Sequence, residues 1–305
     1  MPNTPSRSSN APLLRIAFGC LVAGLAALSQ SAIAASGPSR TFLWKVERGT
    51  NVGYLMGSIH VLTSAYYPLS DIVERAFAGA STLVEEVDLD EMSLPETQAM
   101  MLSKAVYTDG QTLEAAVSRE TYDMIAARLK AAGLPIDSFR QMKPWIAAAT
   151  MLATELQRAG FDPALGLDRH FFDKARQTGK RIVGLETVAF QIDRFDQLPG
   201  NLQEALLRET LTEIEVQRDN VKALADAWSV GDAATLERLL LAGFRSFPEL
   251  HQRLLVERNR IWLPKIENCL SQSAPCFVVV GAAHLVGSDG LISLLTEKGY
   301  HLTQQ

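Results

Sequence analysis

The sequence lacks a basic block, an aromatic-interleaved Lys/Arg stripe and any nucleic-acid motif, and 29 Lys+Arg stand against 34 Asp+Glu for a net charge of −5. These absences argue against nucleic acid as a partner. No apolar run after residue 28 is long enough to span a bilayer, so no transmembrane segment is expected once a leader is removed. Gly-x-Ser-x-Gly, His-Glu-x-x-His and a phosphate loop are all missing, which leaves an elbow-type serine hydrolase and the usual zinc-protease and nucleotide motifs without support. There is no 20–50-residue repeat of the kind solenoids show. No linker rich in Gly, Pro or Ser divides the 305 residues, and 47% of them are apolar, enough for a full core.

What is present begins with a leader. "MPNTPSRSSNAPLLR" carries Arg7 and Arg15 and no acid, "IAFGCLVAGLAAL" is a short apolar run, and Ala32-Ile33-Ala34 fits a small-x-small cleavage site. Residues 1–34 are therefore expected to be a signal peptide, with a mature chain from about Ala35 that is periplasmic or secreted. Cysteine is scarce. Cys20 leaves with the leader, and Cys269 and Cys276 remain in "NCLSQSAPCF", where an oxidising compartment predicts a disulfide.

The mature chain reads as one mixed α/β domain, 35–305. It opens β-β-α-β: "RTFLWKVERG" alternates, "VGYLMGSIH" is a buried-type run, a helix starts after Ser70, and "STLVEEVDL" (81–89) is a third strand. Residues from about 92 to 260 read mainly as helices, with "RIVGLE" a short strand among them. Strand "CFVVVGAAHL", helix "DGLISLLTEKGY" and an edge strand at "HLTQ" close the chain. The expected architecture is a sheet built from the two ends of the chain, flanked by helices, with a large helical insertion in the middle.

Two phrases repeat. "GSIH" places His60 three residues after Gly57, and "GAAH" places His284 three residues after Gly281, each at the end of an apolar strand. Ligand-binding residues of α/β sheets lie at such strand ends, and packing alone does not require the repeat. His170, His251 and His301 lack this setting and read as packing or surface residues. A carboxylate from "VEEVD" completes the set. Glu85 and Glu86 point to opposite faces, so only one can line the same site. Two His, one carboxylate and open positions suit Mn, Co, Fe or Zn, which lowers the pKa of its bound water and polarises a carbonyl. Arg258, beside Asn259 on a helix before the second phrase, is placed to meet a developing oxyanion or a carboxylate.

"LWKVERGTNVGYLMGSIHVL", "TLVEEVDL", "GLDRHFFDKARQTGKRIVGLETVAFQ", "ERNRIW" and "VVVGAAHLVGSDGLISLLTEKGY", in this order, resemble the TraB/GumN family, which includes the animal Tiki proteases. The resemblance covers nearly all of the chain after the leader. It implies a fold shared with ChaN-like and erythromycin-esterase-like proteins, and one site made from both Gly-x-x-His phrases and a Glu of the strand between them. His60, Glu86 and His284 then become the metal ligands, Glu86, Arg258 and Asn259 the catalytic set, and Glu186 and Gln191 further site residues. The implied activity is metal-dependent hydrolysis, foremost of peptides, on a peptide or small-molecule substrate. A haem- or metal-binding module without turnover and a metal-independent His/Glu esterase-type hydrolase are the alternatives. As ligands the imidazoles must be neutral, so activity is expected to fall below about pH 6–6.5.

Overall fold

The computed structural model describes residues 40–305, except 215 and 216 and the side chains of 213–220; the expected signal peptide lies outside the described residues. Strands β1 (Leu43–Arg48) and β2 (Asn51–Ser58) form an antiparallel hairpin. Gly49, with φ of +61°, makes the tight turn that a side chain would strain. Strand β3 (Thr82–Glu85), β4 (Arg181–Gly184), β5 (Cys276–Gly281) and β6 (His301–Gln304) complete a six-stranded sheet of order β4-β3-β5-β2-β1-β6. β2, β5, β3 and β4 run parallel, so all four end on one edge. β5 is buried along its whole length, as its unbroken apolar run requires of a central parallel strand.

Helix α1 (Asp71–Gly79) links β2 to β3. Between β3 and β4 the chain folds as α2 (Pro95–Ala105), α3 (Leu113–Ala116), α4 (Arg119–Ala131), α5 (Pro144–Arg158) and α6 (Leu167–Gln177). Between β4 and β5 it forms α7 (Val188–Asp196), α8 (Gly200–Ile214), α9 (Gln217–Ser229), α10 (Ala233–Ala242), α11 (Pro248–His251) and α12 (Glu257–Leu270). Helix α13 (Leu291–Glu297) precedes β6. A π-helical turn, Gln252–Val256, joins α11 to α12. The mixed α/β class and the helix-rich middle agree with the sequence, and the middle supplies one strand, β4, at the sheet edge.

Two expectations are corrected. The third strand ends at Glu85 rather than near residue 89, because the Asp88 carboxylate accepts the Asp90 N–H at 3.0 Å and turns the chain. The disulfide is not formed: Cys269 and Cys276 are free thiols, with their side chains next to each other. The main core runs along both faces of the sheet, and a smaller cluster, including Leu113, Ile125, Phe139, Met151 and Leu207, packs separately within the insertion. Among the described residues no helix is long and apolar enough to cross a membrane.

Candidate functional site

The parallel strands deliver the site to their shared carboxyl edge, where open α/β sheets hold ligands. Ser58 and His60 follow from β2, Glu86 from β3, Glu186 from β4, and Gly281 and His284 from β5. The two Gly-x-x-His phrases are neighbours but not equivalents. The ladder sets Ser58, not Gly57, opposite Gly281, and an offset of one residue exchanges the faces. Gly57 accordingly serves packing, since a Cβ there would meet the Phe42 ring at 2.2 Å. Gly281 faces the site. The place where its Cβ would stand lies 3.2 Å from His60 Nε2, 3.2 Å from Glu86 Oε1 and 3.7 Å from His284 Cδ2. Both rings therefore converge on one small space that glycine leaves open.

His60 is positioned from outside its own strand. Leu62 and Asp162 exchange backbone hydrogen bonds, and the Leu167 N–H donates to the Ile59 carbonyl at 3.1 Å. A Cβ on Gly166 would stand 2.2 Å from the His60 carbonyl oxygen, so only glycine lets these loops meet. Their contact brings Asp168, in the first turn of α6, against His60: Oδ2 lies 2.7 Å from Nδ1, and Oδ1 accepts the Ser58 hydroxyl at 2.8 Å. Burial opposes charge on the ring, but the Asp168 charge and hydrogen bond outweigh it, with Glu86 behind, and raise His60 to about 9. Nε2, the nitrogen that Asp168 does not hold, faces the Gly281 space.

Glu86 is held from three sides. Oε2 accepts Arg258 Nη2 at 2.6 Å and Gln191 Nε2 at 2.8 Å, and Oε1 accepts the Gly281 N–H at 2.8 Å. Burial alone would raise this carboxyl, yet Arg258 above all brings it down to about 2. Arg258, fully buried, also donates to both oxygens of Glu186 and, through Nη1, to the Leu254 carbonyl. Trp262 donates to Glu186 Oε2 at 2.9 Å and lies under the guanidinium, 4.5 Å from ring centroid to Cζ.

His284 is wholly buried. Its Nδ1 donates to Asn259 Oδ1 at 2.7 Å, and its Nε2 accepts Arg258 Nη1 at 3.0 Å. Asn259 Nδ2 donates to the His284 and Asp289 carbonyls, which fixes the amide and with it the imidazole tautomer. Burial first, then Arg258, holds His284 well below the usual histidine range, so the ring is neutral.

Of the residues singled out in the sequence, His60, Glu86, Glu186, Gln191, Arg258, Asn259 and His284 come together here. Glu85 does not. It pairs in the ladder with Val279, two residues before Gly281, and its carboxyl lies near Asp168 with both oxygens buried and without a hydrogen bond; burial first, then the Asp168 charge, keeps it well above the usual range. Asp168 and Ser58 have no sequence reading of their own. The three-ligand metal arrangement does not fit the side chains as placed. The lone pair of His284 Nε2 is taken by Arg258, and the same guanidinium holds Glu86. A buried cation thus occupies the position between two of the three expected ligands, where a dication would be repelled. Among the described residues no group of three or more His, Cys, Asp or Glu is arranged to hold a metal ion.

Two helices cover part of the site. Leu224 of α9 and Leu240 of α10 join Ser58, His60 and Gly281 around a cavity of about 10 Å³, room for about one water. Trp228 of α9 secures this cover by donating to the Gly57 carbonyl at 2.8 Å.

A mixed sheet with a His/Glu/Arg cluster at its carboxyl edge, built from the first and last thirds of the chain, defines a TraB-type domain. The TraB/PrgY/gumN family model matches residues 42–304, and the chain belongs to that family. Its relatives include the "Uncharacterized protein YbaP" of Shigella flexneri, 25% identical over 247 residues, which are 81% of this chain and 89% of that protein. The "Uncharacterized protein YbaP" of Escherichia coli (strain K12) is 25% identical over 242 residues, 79% of this chain and 87% of that protein. No solved structure gives a significant match.

Proposed function

We propose that this protein is a hydrolase of peptide or ester bonds whose own side chains carry the proton transfers, with no ion bridging His60, Glu86 and His284. The observation that supports it is geometric: His60 Nε2, with Asp168 on the ring's other nitrogen, and Glu86 Oε1 face the same small space at Gly281. In this reading Glu86 Oε1 orients a water. Its low pKa makes it a weak base, so it takes the water's proton on Oε1 only as the water oxygen bonds to the carbonyl carbon and turns acidic, and it passes that proton on when the C–N or C–O bond breaks. The His60 imidazolium donates through Nε2 to the developing oxyanion or the leaving group. Arg258, Gln191 and the Gly281 N–H hold Glu86 in place throughout, and neutral His284 with Asn259 holds Arg258.

The test is turnover of a fluorescein-casein and fluorogenic-ester panel by the purified chain, with and without EDTA. Turnover within about twofold in EDTA is expected, with loss in Glu86→Gln, a carboxylate-to-amide change that removes the ionised acceptor. Loss in EDTA and recovery with Mn²⁺ would sink this reading and restore the metal-dependent one.

The pH profile follows from the same arrangement. The acid form of His60 persists to about 9, so activity should be level from about pH 5 to 8 and fall tenfold per unit above about 9. Asp168→Asn removes the charge that chiefly raises His60, so the fall should move to lower pH. An activity that instead drops below pH 6–6.5, as neutral ligands require, would refute the acid role. We also infer export directed by residues 1–34, which support it by their Arg-flanked apolar run and Ala-x-Ala site. A mature mass beginning far from Ala35, or no cleavage, would overturn that.

A further inference from the structure

A second opening lies away from the His/Glu cluster. Helices α2 and α5 are tied together at one end, where Lys143 N donates to the Ala105 carbonyl at 2.9 Å and Tyr107 N to the Gln141 carbonyl at 2.8 Å. Beyond that tie they enclose a cleft of about 1080 Å³. Protein interiors contain few voids larger than a water, so a gap of this size is a ligand-sized space. It follows the seam between the two hydrophobic clusters. Met101, Ala105 and Ile146 on one wall belong to the main core, Phe139 on the other belongs to the smaller cluster, and Met142 packs against both. Of the lining residues Leu102 is 58% exposed, and Leu94, which caps the same helix, is 43% exposed. Apolar surface left in water beside an apolar cleft marks a binding region.

The lining says what kind of molecule fits. Met92, Met101 and Met142 contribute flexible thioether walls that adapt to a flexible guest. The α5 wall runs from Ile146 through Thr150 and Thr154 to Gln157, roughly 16 Å at 1.5 Å per residue, about the extended length of a twelve-carbon chain. The charged residues of the lining are Asp137 and Arg140, both exposed on one short turn. Arg140 is in no ion pair among the described residues, so its guanidinium is free for an anionic head. We propose that this cleft binds a long-chain carboxylate of the fatty-acid type, with the aliphatic chain along the α2–α5 seam and the carboxylate at Arg140.

Isothermal titration of the intact protein with octanoate, decanoate and laurate tests this, with dodecylammonium as the cationic comparison for a head seated on Asp137. One saturable site is expected, each added methylene tightening it about threefold to fourfold. Laurate should bind tighter than dodecylammonium, and Arg140→Glu should weaken laurate about fivefold. Thr154→Trp fills the cleft and should weaken laurate by about tenfold or more. Leu102→Asp, at an exposed position where folding is not at stake, should weaken it as well. A flat chain-length series, dodecylammonium binding as tightly as laurate, or unchanged binding in Leu102→Asp and Thr154→Trp would each overturn the proposal.

Discussion

His60→Ala should lower kcat/KM by about 10²–10⁴-fold, the span that positioned acid–base groups contribute, while shifting the urea midpoint little. The imidazole is 15% exposed at the side chain and its one hydrogen bond is to Asp168, which keeps Ser58 as a donor when the ring is gone. A lost hydrogen bond at such a place costs on the order of 1 kcal/mol. His284→Ala should behave differently, although the sequence alone gives both histidines the same strand-end setting and the same small packing role. His284 is fully buried, and its removal leaves Asn259 Oδ1 and Arg258 Nη1 each short of a partner. That variant should lose activity and stability together. The decisive measurement is kcat/KM beside urea unfolding for both: His60→Ala turnover within about tenfold of the parent would remove His60 from the chemistry.

Arg258→Ala should be the most destabilising single change in the site, by about 3–5 kcal/mol, because it strands two buried carboxylates. The pH dependence gives this prediction a sign. In the intact protein Glu86 is depressed to about 2, so its contribution to stability is complete above the usual carboxylate pKa and is lost as pH falls toward 2. Without Arg258, burial is left to raise Glu86, and Glu186, already raised by burial, rises further. Groups with raised carboxyl pKa values destabilise the fold at neutral pH and cease to as they protonate. The gap between variant and parent should therefore narrow as pH falls from about 7 to 4.5. Urea unfolding across that range would show a gap that widens or stays constant if Arg258 is not the charge that holds the two carboxylates.

Much of this arrangement is legible before any coordinates. Apolar strands ending in His60 and His284, an acid at the end of the third strand and an Arg-Asn pair on the preceding helix all point to one edge of a sheet. What the residues alone do not disclose has physical causes. Asp168 is hidden because an acid in the first turn of a helix is ordinary, favoured there by the helix dipole whatever else it does. Glu86 is separable from Glu85 only through the partners it meets past the end of β3, since ladder parity alone would put Glu85 on the Gly281 face. The likeness of the two Gly-x-x-His phrases suggests matched ligands, but β2 and β5 pair one residue out of step, and one ring meets an aspartate while the other meets an amide and a guanidinium. The thiols of Cys269 and Cys276 are neighbours, as their spacing suggests, without being joined.

The π-helical turn at Gln252–Val256 sets a phase. Its i→i+5 bonding encloses one residue more than an α-turn, so the side chains after it are advanced around the axis relative to those before it. Arg258 leans back onto the Leu254 carbonyl within that turn, which means its direction is measured from the wide turn rather than from the strands it serves. Shortening the turn by one residue would rotate the two helical stretches against each other by about 100°. With the upstream stretch kept in place, the guanidinium would swing out from between Glu86, Glu186 and His284 while every residue of the cluster remained in the sequence. The site is thus encoded by a count of residues as well as by their identities.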